Sequence, residues 1–175
     1  MLKLFVFLGT SFAFCSATTA QYLFIQPMRQ TDPAWARDRM GNGGTIGQQG
    51  CLMTDLAMVF NVTPKTLNAW LNANGGYAQG GTVIHQRAAD FDGPGGLQFY
   101  GWGNLPFDAG SVARGMSRGG VYIVRSYRYP EHWVLVFSSN GWQSYYVDPS
   151  DASVRRVGDP FVHYGNEARV YYFAR

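Results

Sequence analysis

The 175-residue chain has little charge, little lysine and almost no cysteine. Charged residues make up 14% of it, the formal net charge is only +3, and the lysines are Lys3 and Lys65, so the basic balance rests on arginine. So small an excess is no footprint for nucleic acid, and it leaves only mild attraction to anionic surfaces such as cell-wall polymers. No group of His, Cys, Asp and Glu has metal-ligand spacing, so neither a metal nor another cofactor is expected. Internal repeats, low-complexity tracts and interdomain linkers are also missing, and the length fits one domain. Nor is there an apolar run of the ~20 residues that a membrane span needs.

What is present begins with "MLKLFVFLGTSFAFCSATTAQ": one early cation, an apolar run from Leu4 to Phe14, and small residues from Ser16 to Ala20. This is the layout of a secretory signal peptide with cleavage after Ala17 or Ala20. The expected division is a signal peptide over 1–20 and one domain over 21–175. The product is expected to be secreted or periplasmic, with no stable membrane insertion after cleavage. "FAFC" lacks the small residues that lipoprotein processing prefers, which argues against a lipid on Cys15. Cleavage removes Cys15 and leaves Cys51 without an intrachain partner. In an oxidising compartment such a thiol is buried and inert, paired between chains, or chemically used.

Hydrophobic content of 46%, aromatics at 16% and 22 glycines describe a globular, β-rich protein with many turns. "QYLFIQPMRQ" reads as a short extended piece and "TDPAWARDRMGNGGTIGQQG" as a loop. From Cys51 the period turns helical, with Leu52, Leu56, Val59 and Phe60 at spacings of three and four. A second helix starts at Thr63 as N-cap with Pro64 at its first position, and ends at Asn74-Gly75-Gly76. "IHQRAADF" suggests a short helix, "FDGPGGLQFYGWGNLPFDAG" a loop, and "SVARGMSRGG" a helix that stops at Gly119-Gly120. Beyond it, "VYIVRSY", "HWVLVFS", "WQSYYVD", "SVRRV" and "ARVYYFAR" predict an antiparallel sheet of about four to six strands. Helices first and sheet second make an α+β class rather than alternating βαβ units.

Cys51 stands at a helix start, where unpaired N–H groups and the helix dipole favour a thiolate. Gly50 before it permits a sharp bend. A buried cysteine capping a core helix fits the same position, so a base is needed. His85 and His163 lie in unremarkable loop or helical stretches. His132 opens the strand "HWVLVF", after the turn-like "YRYPE". If the "SSNG" hairpin centres on Asn140, His132 lies directly opposite Asp148. Opposed residues have Cβ atoms about 4.5–5.5 Å apart, and a small register shift leaves them diagonal neighbours. A carboxylate there holds the ring's orientation and stabilises the imidazolium. "NVT" at Asn61 is a glycosylation sequon, relevant only in a eukaryotic secretory pathway.

"TIGQQGCLMTDLAMVF" followed by "TPKTLNAWLNANGGY", with "QTDPAWARDRMGNGGTIG" upstream and "HWVLV" and "YYVDPSD" downstream, resembles papain-like cysteine peptidases of the bacteriocin-processing type, in their stand-alone form. The likeness covers roughly residues 28–150. It implies a papain-like fold, an N-terminal helical part whose nucleophile helix packs on a C-terminal antiparallel sheet. It further implies Cys51 as nucleophile, His132 as general base and acid, Asp148 as orienter, and an upstream glutamine, Gln30 or Gln48, as donor to the oxyanion. Cell-wall amidases of the NlpC type carry "DCSG" and a second histidine, against "GCLMT" and an aspartate here. The expected activity is hydrolysis of a peptide or amide bond through an acyl-enzyme, on a peptide, protein or peptidoglycan substrate, including cell-wall peptides. Asp55, one turn from Cys51 where the relatives often carry a small hydroxyl residue, is expected to raise the thiol pKa. It motivates the alternative of a catalytically silent binding module or toxin component.

Overall fold

The computed structural model describes residues 20–93, 97–104, 107–165 and 169–174. The expected signal segment, apart from Ala20, lies outside the described residues. No helix among the described residues is long and apolar enough to cross a membrane.

The chain is a mixed α+β structure around one antiparallel sheet. Strand β1 (Gln21–Tyr22) is followed by α1 (Ile46–Gln49), α2 (Cys51–Val59), α3 (Pro64–Ala73) and α4 (His85–Ala89). Next come β2 (Gln98–Asn104) and α5 (Ala109–Met116), then β3 (Gly120–Arg125), β4 (Trp133–Ser139), β5 (Ser144–Asp148), β6 (Ser153–Arg156) and β7 (Arg169–Ala174). The sheet order is β2-β7-β3-β4-β5-β6, with β1 pairing along the end of β4.

Both faces of the sheet are covered, which explains its continuous apolar runs. Val121, Ile123, Leu135 and Val147 point to the side where Met53, Leu56, Met58 and Leu67 of α2 and α3 close the core. Tyr122, Val124, Val134, Val136 and Tyr146 alternate to the other side, against Val112 and Met116 of α5. Helix α2 is buried at every position, a central rather than an amphipathic surface helix. Helix α3 has the expected start, with Thr63 Oγ1 accepting from the Thr66 N–H and Pro64 in the first turn.

Three expectations need correction. The stretch read as a loop contains strand β2, whose glycines at Gly101 and Gly103 dilute the β-branched signal. It pairs with β7 alone, at the sheet edge, and a bulge falls where Gly101 adopts φ +131°. The order of elements is also less segregated than expected, because β1 and β2 precede β3 and α5 covers the far face. Finally, the β4–β5 hairpin centres one residue later. Leu135 pairs with Val147 and Val136 with Tyr146, while a bulge at Phe137 shifts the turn-side pairs to Ser138–Tyr145 and Ser139–Ser144. Asp148 therefore sits diagonally to His132, not directly opposite.

Candidate functional site

The site forms where α2 begins and β4 and β5 reach the same end of the sheet. Helix α1 stops at Gln49, and Gly50 bends the chain before α2 starts afresh at Cys51. A Cβ on Gly50 would lie 2.5 Å from the Ile46 carbonyl oxygen and 2.8 Å from Ile46 Cγ2, so the bend has room for glycine alone. Starting a helix at Cys51 leaves the first N–H groups, its own included, without intrahelical acceptors. Cys51 is 7% exposed, and its Sγ lies 3.7 Å from the Glu131 carbonyl oxygen.

His132 reaches this thiol from the sheet side. Its Nε2 bonds Asp148 Oδ1 at 2.8 Å, which leaves Nδ1 as the ring nitrogen for Cys51. Asp148 is 3% exposed and carries several further donors. The Ser150 backbone N–H and hydroxyl donate to its Oδ1 at 2.9 and 2.7 Å, and Arg155 Nη1 donates to Oδ2 at 3.0 Å. Arg155 is fixed in turn by Asp151 Oδ2 at 2.7 Å and by packing over the Phe161 ring at 4.8 Å.

These contacts set the charges. Burial opposes the charged ring of His132, but hydrogen bonds to Asp148 and Cys51 and their negative charge outweigh it and lift its pKa to about 9. Burial likewise opposes the Asp148 carboxylate, yet bonds from His132 and Ser150 hold its pKa down at about 2. At neutral pH the pair is an imidazolium against a carboxylate.

Asp55, expected to hinder the thiolate, is completely buried, and neither carboxylate oxygen has a hydrogen-bond partner among the described residues. Desolvation first, then the negative charge of Cys51 and Asp148, pushes its pKa far up. The neutral acid is the favoured form, and a neutral acid does not repel a thiolate.

Of the two glutamines, both line the cleft with Cys51. Gln48 is exposed, and its Oε1 accepts from the Thr45 N–H at 3.0 Å to cap α1. Gln30 is buried; its Nε2 donates to the Gly47 carbonyl at 3.2 Å, and its backbone N–H donates to Pro149 O, next to Asp148. An amide nitrogen has two N–H groups, so one remains for the cleft.

The cleft itself is an open cavity of about 610 Å³ running past Cys51 and His132 to Trp133, Arg125 and the Gly80-Gly81 backbone. Tyr77 packs against the core and bonds Asn68, and Tyr100 is exposed. His85 also lines the cleft but stacks on Phe99, with burial lowering its pKa, and His163 stands against Tyr127 at the surface. No group of three His, Cys, Asp or Glu side chains able to hold a metal occurs among the described residues.

Sequence reasoning missed Ser150 and Arg155. A hairpin count around "SDAS" would have found Arg155, because the observed pairs Tyr146–Arg155 and Asp148–Ser153 put it diagonal to Asp148. No family model matches the chain, and no curated protein or solved structure is significantly similar to it.

Proposed function

We propose that the chain is a secreted cysteine peptidase of papain-like fold that cleaves peptide or amide bonds with Cys51, His132 and Asp148. The observation that carries this reading is the ring of His132 held between a helix-start thiol and a buried carboxylate with four donors. A surface histidine beside a turn aspartate needs no such arrangement.

In the proposed reaction the Cys51 proton already rests on His132 Nδ1, as the imidazolium, and the Cys51 thiolate attacks the substrate carbonyl carbon. The carbonyl oxygen takes the negative charge and is met by the Cys51 backbone N–H and by Gln30 Nε2. Imidazolium then protonates the leaving amine as the C–N bond breaks, which leaves a thioester on Sγ. Water, deprotonated by His132, attacks the thioester carbonyl and releases the acid and the thiol. Asp148 keeps Nε2 protonated and stabilises the imidazolium without itself accepting the proton. Gln30 is the preferred donor over Gln48 because it is buried and held in place by its bond to the Gly47 carbonyl, whereas Gln48 is exposed. The N-terminal segment with its short apolar run supports export, and cell-wall peptides are then an accessible substrate class.

A thiol-directed epoxide at neutral pH tests the site. Cys51 is expected to label at least ten-fold faster than free cysteine, with no labelling in Cys51→Ala and a loss of about a hundred-fold in His132→Ala, the scale of a general-base contribution. Labelling no faster than free cysteine sinks the reading in favour of a silent module. Purified peptidoglycan against casein then sorts the substrate class.

A further inference from the structure

The cleft holds a cation that the chemistry above does not use. Arg125 ends β3 opposite Trp133, and both line the cleft beside Cys51 and His132. Along β3, Val121, Ile123 and Arg125 alternate onto the face that α2 covers, which turns Arg125 toward the side of the nucleophile. The residue is half-buried, and its side chain makes no ion pair or hydrogen bond with any described residue. Arg155, Arg39 and Arg114 differ: each has its guanidinium on a carboxylate, carbonyl or hydroxyl oxygen of the fold.

A guanidinium stays charged at any pH the protein meets, and its planar fork matches a carboxylate in two parallel hydrogen bonds. Partly withdrawn from water, it can offer that fork to an anion entering the cleft. Among the described lining residues the acid nearest in sequence, Glu131, is exposed and forms no ion pair with it. The same cleft is lined by neutral groups as well, the amides of Gln48 and Gln49 and the Gly80-Gly81 backbone among them.

We propose that Arg125 is a specificity-determining residue that binds a carboxylate of the substrate. The preferred peptide then carries either an acidic side chain or a free C-terminal carboxylate near the scissile bond. The inference rests on the peptidase reading and adds the substrate class to it.

Two pairs of epoxide-bearing peptide probes test it, with Cys51 labelling followed by mass spectrometry. Members of one pair differ only by a Glu or Gln side chain. Members of the other differ only by a C-terminal acid or amide. In at least one pair the carboxylate member is expected to label about ten-fold faster, and the pair that shows the preference identifies which carboxylate is read. Arg125→Gln is expected to abolish that preference while labelling with the neutral member stays at the wild-type rate, which shows that the fold is intact. Arg125→Lys is expected to keep part of it. Equal rates within both pairs, or a preference that survives Arg125→Gln, overturns the role of Arg125 and leaves the nucleophile in place. Failure of every probe to outpace free cysteine removes the peptidase reading, and the inference with it.

Discussion

The charge state of single residues governs what this site can do, and two carboxyl groups near Cys51 behave in opposite ways. Asp148 is surrounded by donors and stays ionised, whereas Asp55 has none and holds its proton. Asp148→Asn removes the charge that lifts His132, so the alkaline limb of the labelling rate is expected to move from about pH 9 toward the ordinary histidine value of 6.5. A pH–rate profile of the variant decides it: an alkaline limb still near 9 refutes the role given to Asp148. Asp55 acts on stability instead. Its pKa is raised in the folded state, so its contribution is whole below the unfolded value of 3.8 and is lost as pH climbs toward the folded value. The loss runs at about 1.4 kcal/mol per pH unit within that window. Asp55→Asn removes this slope, so the variant is expected to gain on wild type between pH 4 and pH 8. Urea unfolding at the two pH values measures the gain. Cys51, His132 and Asp148 were legible in the sequence because a lone thiol, a strand-opening histidine and a turn aspartate are each locally marked. The state of Asp55 was not, since it depends on all that packs around α2.

Among the elements, the bend between α1 and α2 matters most, because it sets where the thiol points. Gly50 has ordinary φ and ψ of −88° and 18°, so its need for glycine comes from contact and not from backbone preference. Gly50→Ala forces Cβ against the Ile46 carbonyl, and overpacking of this kind costs about 1–3 kcal/mol. Relief of the clash has to move α1 or the start of α2, so epoxide labelling is expected to fall at least ten-fold. A variant that keeps the wild-type rate shows that the bend does not position Cys51. Helix α3 and strands β3 to β7 could be read from caps and from apolar runs. The hairpin register could not, because the bulge at Phe137 adds a residue to one strand without any marker in "WVLVFSS". The diagonal reach from His132 to Asp148 survived that error because side chains two residues apart on a strand share a face. Strand β2 was hidden for another reason: pairing with β7 makes it a strand despite a glycine-rich composition.

At the scale of the molecule, the sheet separates two layers with different duties. Helix α2 brings Cys51 from one side, while α5 seals the other and is tied at the turn end of β4, where Ser139 donates its hydroxyl to the Ala109 carbonyl at 2.9 Å. The His132 and Asp148 pair occupies the opposite end of β4 and β5. Damage to the two layers should then have different consequences. Leu56→Ala empties part of the core under α2, with an expected loss of about 2–5 kcal/mol. Because α2 carries Cys51, the labelling rate is expected to fall with it even where the variant is fully folded. Val112→Ala in α5 is expected to cost roughly 1–3 kcal/mol and to leave labelling within two-fold of wild type. Unfolding midpoints and labelling rates on the same samples test both. Equal effects on labelling at matched stability mean that the whole core positions the thiol. A selective effect at Leu56 assigns that task to the packing of a single helix against the sheet.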